Sequence, residues 1–168
     1  MKSVIDLKWS DLTSPTMNSK EYLKIYGNQV KKIYDNYEPK SNILVEIRDL
    51  MKKKKEKLKI LALGADWCPD CSRNVPSMIK IINSINDKDI ELKILYGIIK
   101  NAFHKPEETI WHKTRSPPEA TDPKFNLKAI PSFYFFNKNG EYLGIIIENP
   151  HDSSSLEEDI LAILKSNL

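Results

Sequence analysis

The chain has 168 residues, which suits a single domain with a small extension and argues against a large multidomain protein. Hydrophobic residues make up 40% and charged residues 29%, as in globular proteins, and a net charge of +3 is too small for a chain that binds nucleic acid along its whole length. No run of about 18 apolar residues occurs, and no apolar signal-peptide core follows Met1–Trp9, so we expect a cytoplasmic protein without nucleic-acid or membrane partners.

Two segments near the N-terminus have apolar residues at helical spacing. The first runs from Thr16 to Tyr37, with Asn18 or Ser19 as its N-cap. The second runs from Ser41 to about Lys55. We therefore expect residues 1–56 to form a helical extension that packs on the rest of the chain.

The sequence pattern of residues 57–168 predicts one domain of alternating strands and helices, with an irregular insertion at about 100–119. The predicted elements are a strand Leu58–Gly64, a helix from the cysteines to about Ile85, a strand Ile90–Ile99, a short helix Asp122–Lys128, strands Ser132–Phe136 and Glu141–Ile147, and a closing helix from Ser155. This order predicts an α/β fold with a central mixed sheet flanked by helices.

The two cysteines of the chain, Cys68 and Cys71, lie three positions apart just after the first predicted strand. A structural zinc site needs four ligands, and a secreted disulfide-rich domain would hold several cysteine pairs. A disulfide across two residues closes a very small loop and adds little stability. Redox exchange between these two thiols is the chemistry that remains, with no further cofactor.

The segment Trp67–Cys71, at a strand-to-helix junction, resembles the active site of thioredoxin-fold proteins. Pro76 matches the proline that kinks the active-site helix of these proteins, and Ile130–Ser132 resembles the cis-proline signature that faces the cysteines. Phe133–Leu143 resembles the hairpin that follows that signature. Helices at Thr16–Lys55 are similar to those of a bacterial and archaeal thioredoxin-like subfamily. The resemblance implies a thioredoxin-like fold and disulfide exchange.

The chain departs from thioredoxin at two positions before the cysteines. Ala62 stands where thioredoxins bury an aspartate, and Gly64 stands where they carry a second tryptophan. These departures argue against a housekeeping thioredoxin that acts on the usual partners.

The chemistry of the cysteines also follows from the residues themselves. A thiolate attacks a disulfide, and a helix that begins at Pro69 would stabilise the Cys68 thiolate with its free N–H groups and its dipole. Cys71, one turn into the helix, would be more buried and would resolve the mixed disulfide. Asp70 is either a proton acceptor or a carboxylate favoured by the helix dipole.

The resemblance also implies a substrate surface. The expected substrate contacts are Trp67, Pro69, Ile130 and Pro131. A cis Pro131 would leave the backbone of Ile130 free to pair with an extended substrate strand. Trp67 either shields the site or simply packs.

Other polar and apolar features have plainer interpretations. The three histidines have no familiar ligand spacing, so no metal is expected. The basic run Lys52–Lys57 suits a solvated helix end. Phe103 and Trp111 in the insertion either face a substrate or pack the insertion onto the core.

The sequence thus favours a thiol–disulfide oxidoreductase that reduces protein or small-molecule disulfides and is recharged by an unidentified electron donor. Two alternatives stay open at this point. One is a redox-sensing or chaperone-like binding module, and the other is a zinc ion shared by the four cysteines of two chains.

Overall fold

A computed structural model of the protein describes residues 5–168, so Met1–Val4, part of the segment considered for a signal peptide, lie outside the described residues. Its helices and strands are α1 (Ser19–Asn36), α2 (Ser41–Lys54), β1 (Leu58–Leu63), α3 (Pro69–Ile85), β2 (Ile90–Leu95), β3 (Ser132–Phe136), β4 (Tyr142–Ile147) and α4 (Leu156–Asn167). Short 3-10 turns occur at Trp9–Asp11 and Pro118–Ala120. In the range from residue 5 to residue 168, no helix is long and apolar enough to cross a membrane.

The four strands form one mixed sheet in the order β2-β1-β3-β4. β1 pairs in parallel with β2 and antiparallel with β3, and β3 pairs antiparallel with β4. The parallel register places Leu63 opposite Leu95, so both strands end at the same edge. The predicted α/β fold class with a mixed sheet is confirmed.

Both faces of the sheet are covered, because all five residues of β3 are buried. Tyr134 and Phe136 are two residues apart and therefore share a face. Their rings meet the rings of Phe125 and Trp9, with centroid distances of 5.7 and 5.4 Å. The irregular chain before β3 and the N-terminal segment thus cover part of the sheet, while α4 packs against β4.

The two N-terminal helices pack on the rest of the chain, α1 against α3 and α2 against both α3 and α4. Asn18 is the N-cap of α1 and forms a capping box with Glu21. At the C-terminal end of α1, the buried carboxylate of Glu157 accepts hydrogen bonds from the Tyr37 hydroxyl (2.5 Å) and the Lys40 amide (2.7 Å). A domain boundary between residues 56 and 57 stays a prediction.

The expected end of the second strand at Ile99 is wrong, because β2 ends at Leu95. Gly97 takes a positive φ of 100°, which turns the chain out of the strand direction. The amide of Ile98 then lies 3.5 Å from the carbonyl of Gly64, so the apolar run continues as a loop beside the end of β1.

The expected helix Asp122–Lys128 is also wrong, because this segment forms turns. The Asp122 side chain accepts a hydrogen bond from the Lys124 amide (2.9 Å), which is an Asx turn. Asn126 has a φ of 45°, in the left-handed region, and this ends the turn before a second helical turn can form.

The insertion is irregular, as expected, and its two aromatic residues behave differently. A single β-bridge joins Lys100 to Trp111. Trp111 is buried and its Nε1 donates to the carbonyl of Leu127 at 2.7 Å, whereas Phe103 is 92% exposed. Trp111 therefore packs the insertion onto the core, and Phe103 does not.

A buried carboxylate fixes the segment before α1. Glu119 accepts hydrogen bonds from the amides of Thr13 (2.8 Å) and Ser14 (3.0 Å) and from the Ser14 hydroxyl (2.6 Å). Burial alone would raise the pKa of Glu119, but these hydrogen bonds outweigh it, and the pKa lies below its ordinary value near 4.5. The ionised form is therefore the one that the fold stabilises.

A carboxylate whose pKa is lowered by folding adds stability above its unfolded pKa and loses it as the pH falls through the folded pKa. We expect Glu119→Gln to lower the free energy of unfolding by about 1–2 kcal/mol at neutral pH. The variant should also lose part of the decline in stability below about pH 4.5. Denaturant unfolding from pH 7 to pH 3 measures both effects.

The matched control is Glu107→Gln, since Glu107 is an exposed carboxylate of the insertion. It should leave the pH profile of stability close to that of the unchanged protein. A Glu119→Gln profile that coincides with the control would contradict the role given to this carboxylate.

Candidate active site

The end of β1 and the start of α3 position the two cysteines. Cys68 is the N-cap of α3, and Pro69 stands at the first helical position, where its missing N–H removes no helix hydrogen bond. Pro76 lies inside the same helix. The expected start of the helix at Pro69, with Cys68 beside its free N–H groups, is confirmed.

The Cys68 sulfur lies between one donor and one acceptor. Its Sγ accepts a hydrogen bond from the Cys71 amide at 3.3 Å, and its thiol donates to the carbonyl of Ile130 at 3.6 Å. The first amides of α3 and its positive dipole end favour a thiolate at this position. Loss of the Cys68 proton also releases the Ile130 carbonyl from its hydrogen bond.

Cys71 differs from Cys68 in its exposure and its electrostatics. Cys68 is 6% exposed and Cys71 is 0% exposed, and both are free thiols. Burial raises the pKa of Cys71 well above its ordinary value, and its interactions with Cys68 and Asp70 raise it further. Burial therefore favours the protonated form of Cys71.

The Ile130–Pro131 peptide bond is cis, and both residues are buried. This segment brings the Ile130 carbonyl to the Cys68 sulfur. The carbonyl of Pro131 accepts a hydrogen bond from the Glu148 amide at 2.7 Å, which joins the segment to the chain that follows β4. Ile130, one of the expected substrate contacts, thus lies beside Cys68, and Pro131 follows it in the chain.

Trp67 and Pro69 form the exposed side of the site. Trp67 is 46% exposed, and its Nε1 donates to the carbonyl of Ile98 at 2.9 Å. The ammonium group of Lys100 lies 5.7 Å from the centre of the indole ring. Pro69 is exposed at the start of α3. The indole is held at one edge by a hydrogen bond, and much of its surface is exposed.

Asp70 forms an ion pair with Arg73 on the same helix. Arg73 also donates to the Asn149 side-chain oxygen (2.9 Å), which accepts a second hydrogen bond from Asn74 (2.9 Å). This network connects the first turns of α3 to the chain after β4. A proton-accepting role for Asp70 stays a prediction, and the ion pair supports the plainer electrostatic interpretation.

The sequence interpretation missed a tyrosine cluster beside Cys71, made of Tyr22, Tyr26 and Tyr96. The Tyr22 and Tyr96 rings meet edge to face at 5.5 Å, and Tyr26 lies 5.0 and 5.4 Å from them. Tyr96 directly follows β2, as Gly64 follows β1, and the parallel register makes these two positions neighbours. The parallel pairing of the two strands could have predicted that Tyr96 lies near the cysteines. Tyr22 could not be told apart from the other apolar residues of its amphipathic helix.

Gly64 lies next to both Cys71 and the Tyr96 ring of this cluster. A Cβ atom added at Gly64 would lie 2.9 Å from the Cys71 Sγ and 3.0 Å from the Tyr96 Cε1. Only a residue without a side chain leaves room for both groups.

Comparison with known proteins agrees with this geometry. The sequence profile of the thioredoxin family matches residues 16–98, which hold both N-terminal helices and both cysteines. The chain has a thioredoxin-like fold.

Solved structures share the fold over nearly the whole thioredoxin-like chain. PA1234, a Pseudomonas aeruginosa protein of unknown function, superposes with a TM-score of 0.65 at 16% identity, covering 96% of this chain and 99% of that one. An HIV epitope-scaffold protein superposes with a TM-score of 0.62 at 17% identity, with the same coverage. At these identities the likeness shows the fold alone. Comparison with curated proteins finds no match.

No cluster of metal-ligating side chains accompanies the cysteines in the part of the chain that the structure describes. Residues 5–168 contain no group of three or more histidine, cysteine, aspartate or glutamate side chains arranged to hold a metal ion.

The space at Gly64 gives a prediction with a built-in control. We expect Gly64→Ala to lower the free energy of unfolding by about 1–3 kcal/mol, because the added methyl group overlaps the Cys71 sulfur and the Tyr96 ring. Gly27→Ala, in the interior of α1, adds a methyl group with nothing within 4 Å and should raise stability by about 0.5–1 kcal/mol. Denaturant unfolding of both variants checks the pair, and equal effects would contradict the steric argument.

Proposed function

We propose that this protein is a thiol–disulfide oxidoreductase that reduces disulfides in proteins or small molecules. One observation carries the proposal: the Cys68 sulfur caps α3, accepts the Cys71 amide hydrogen bond, and has Cys71 buried behind it. This arrangement supports an attacking thiolate and a protected resolving thiol in one short segment.

In the first step, the Cys68 thiolate attacks one sulfur of the substrate disulfide. The substrate S–S bond breaks, one half of the substrate leaves as a thiolate, and a new bond joins the other half to Cys68. The Cys71 amide, 3.3 Å from the Cys68 Sγ, stabilises the attacking thiolate.

In the second step, Cys71 loses its proton and attacks the Cys68 sulfur. The bond between Cys68 and the substrate breaks, the second substrate thiolate leaves, and it takes up a proton. The cysteine pair has then given two electrons to the substrate and holds a disulfide. Return to the dithiol needs two electrons from a separate thiol or dithiol donor.

The surface around Cys68 supports recognition of an extended polypeptide as well as a small disulfide. The half-open indole of Trp67 and the exposed Pro69 ring offer apolar contact. The carbonyl of Ile130, released when Cys68 is a thiolate, is an acceptor for a substrate amide. A reductant of this kind suits a reducing compartment such as the cytoplasm.

The burial of Cys71 weighs against a zinc ion shared between two chains. Such a site needs both sulfurs at a common surface, and Cys71 is 0% exposed. A binding module that oxidises without turnover differs from the proposed enzyme in a measurable way, because only the enzyme passes through a mixed disulfide repeatedly.

The proposal predicts opposite outcomes for the two cysteines. An aromatic disulfide whose thiolate product absorbs visible light reports each step, since the reduced protein should release two thiolates in succession. Cys68→Ser should release none above background, because the nucleophile is absent. Cys71→Ser should release one and retain the other half as a mixed disulfide, detectable by intact mass.

Ser72→Ala, on the next residue of the same helix, is the control and should release two thiolates at the normal rates. Release of two thiolates by Cys68→Ser would show that Cys68 is not the nucleophile. Absence of release from the unchanged reduced protein would overturn the oxidoreductase proposal.

A further inference from the structure

We propose that Asn74 is a positioning residue for polypeptide disulfides, because it keeps the Ile130 carbonyl beside Cys68 in the place where an extended substrate strand would pair. The inference rests on the proposed function and deepens it, since it assigns polypeptides as the substrate class that this site is built to orient. In this role Asn74 acts through the chain that follows β4 and not on the reacting sulfurs.

The first support is the use that the fold makes of the Asn74 side chain. Asn74 lies six residues after Cys68 on α3 and is 5% exposed. Its Nδ2 donates to the carbonyl of Glu148 at 2.7 Å and to the side-chain oxygen of Asn149 at 2.9 Å. A side-chain amide has two N–H donors, so both are directed to the chain after β4. An unpaired amide at this depth would be costly, and α3 is therefore tied to that chain.

The second support is the backbone of Glu148, which links α3 to the cis-proline segment. Glu148 has a φ of 61°, in the left-handed region that residues other than glycine rarely adopt. In this conformation its amide donates to the carbonyl of Pro131 at 2.7 Å while its carbonyl accepts from Asn74. An unfavourable backbone conformation persists where the surrounding contacts hold it. One residue thus carries the position of α3 to Pro131.

The contacts form a closed series that returns to the reactive sulfur. The carbonyl of Ile130, the residue before Pro131, accepts the hydrogen bond of the Cys68 thiol at 3.6 Å. Cys68 caps the same helix that carries Asn74. The cis-proline segment is therefore joined to α3 at two points, directly at the Cys68 sulfur and indirectly through Glu148.

Only the indirect connection persists in the reactive state. When Cys68 loses its proton, its hydrogen bond to the Ile130 carbonyl is lost, and the thiolate and the carbonyl oxygen repel each other. The hydrogen bonds of Asn74 involve no group that ionises, so they are unaffected by this change. Asn74 therefore keeps the carbonyl in place when the site is ready to attack and the carbonyl is free to accept from a substrate.

A further contact strengthens the connection from the surface. The Asn149 side-chain oxygen also accepts a hydrogen bond from Arg73 at 2.9 Å, and Arg73 is paired with Asp70. Arg73 and Asn149 are exposed, whereas Asn74 is buried. Water can replace part of the surface contact, so we expect the buried amide to contribute most to the position of the segment.

The reaction step is the first exchange of the proposed function. The Cys68 thiolate attacks the cysteine sulfur of a peptide, the peptide S–S bond breaks, and the other half leaves as a thiolate. A backbone N–H of the peptide donates to the Ile130 carbonyl during the attack. Asn74 exchanges no proton or electron, and its contribution is the orientation of the peptide.

The test compares two disulfides in the full-length reduced protein by stopped-flow absorbance. One is the symmetric aromatic disulfide, which has no backbone amide. The other is a short peptide whose single cysteine is joined to the same aromatic thiol, so that the same coloured thiolate leaves in both reactions. Asn74→Ala should lower the second-order rate constant for the peptide about tenfold. The rate constant for the symmetric disulfide should stay within about twofold of the unchanged protein.

A second variant and a control complete the set. Asn149→Ala removes an exposed acceptor of Asn74 and should lower the peptide rate constant about threefold. Asn83→Ala is the matched control, because Asn83 also lies on α3 and donates to the Tyr34 hydroxyl of α1, away from the cis-proline segment. It should leave both rate constants unchanged. Thermal unfolding of the three variants reports whether each is folded.

The outcomes separate the two proposals. Unchanged peptide rate constants in Asn74→Ala and Asn149→Ala would overturn the positioning role alone. Equal slowing with both disulfides would also overturn it, since the substitution would then act on the fold or on Cys68 itself, as would a matching loss in Asn83→Ala. Failure of the unchanged protein to release thiolate from either disulfide would instead remove the proposed function.

Discussion

The parallel pairing of β1 with β2 is the constraint on which the rest of the site depends. The register that sets Leu63 opposite Leu95 makes the two strands end together, so the residues that follow each strand emerge at one edge of the sheet. From β1 come Gly64 and then the cysteine segment, and from β2 comes Tyr96. A shift of one residue in this register would separate the tyrosine ring from Cys71 and reverse the faces of both strands.

The same edge creates the difference between the two thiols. Cys68 stays at the boundary, where the free amides of α3 offset the cost of a negative charge. Cys71 is carried one turn further, into an environment where burial penalises its thiolate. A helix that begins at the surface and runs inward thus places two identical side chains in different environments. The proposed order of reaction depends on this difference in environment.

Local signals in the sequence were sufficient for the elements that carry the cysteines. An apolar run ending in glycine predicted β1, and a proline after Cys68 predicted the start of α3, because each signal acts within a few residues. The errors arose where a side chain or a glycine overrode a local pattern. Asp122 bonded its own backbone neighbours in place of capping a helix, and Gly97 turned an apolar run away from the sheet.

The tyrosines lie beyond what any local signal shows. Tyr22 is 74 positions from Tyr96 in the sequence, and their hydroxyl contact depends on how α1 packs over the end of β2. When a helix is predicted from apolar residues at regular spacing, a tyrosine and a leucine at a buried position fit the pattern equally well. The polar tip of the tyrosine becomes informative only when its partner in space is known.

The departure from thioredoxin at Gly64 and the presence of the N-terminal helices belong to one arrangement. With a large side chain at position 64, the Tyr96 ring and the Cys71 sulfur would lose the space that they now share. With glycine there, the Tyr96 ring and the Cys71 sulfur both border the same space, and the partly buried Tyr96 hydroxyl needs a hydrogen-bond partner. Tyr22 from α1 supplies that partner at 3.0 Å. The extension is thereby tied to the edge of the sheet that carries the cysteines by a polar contact as well as by apolar packing.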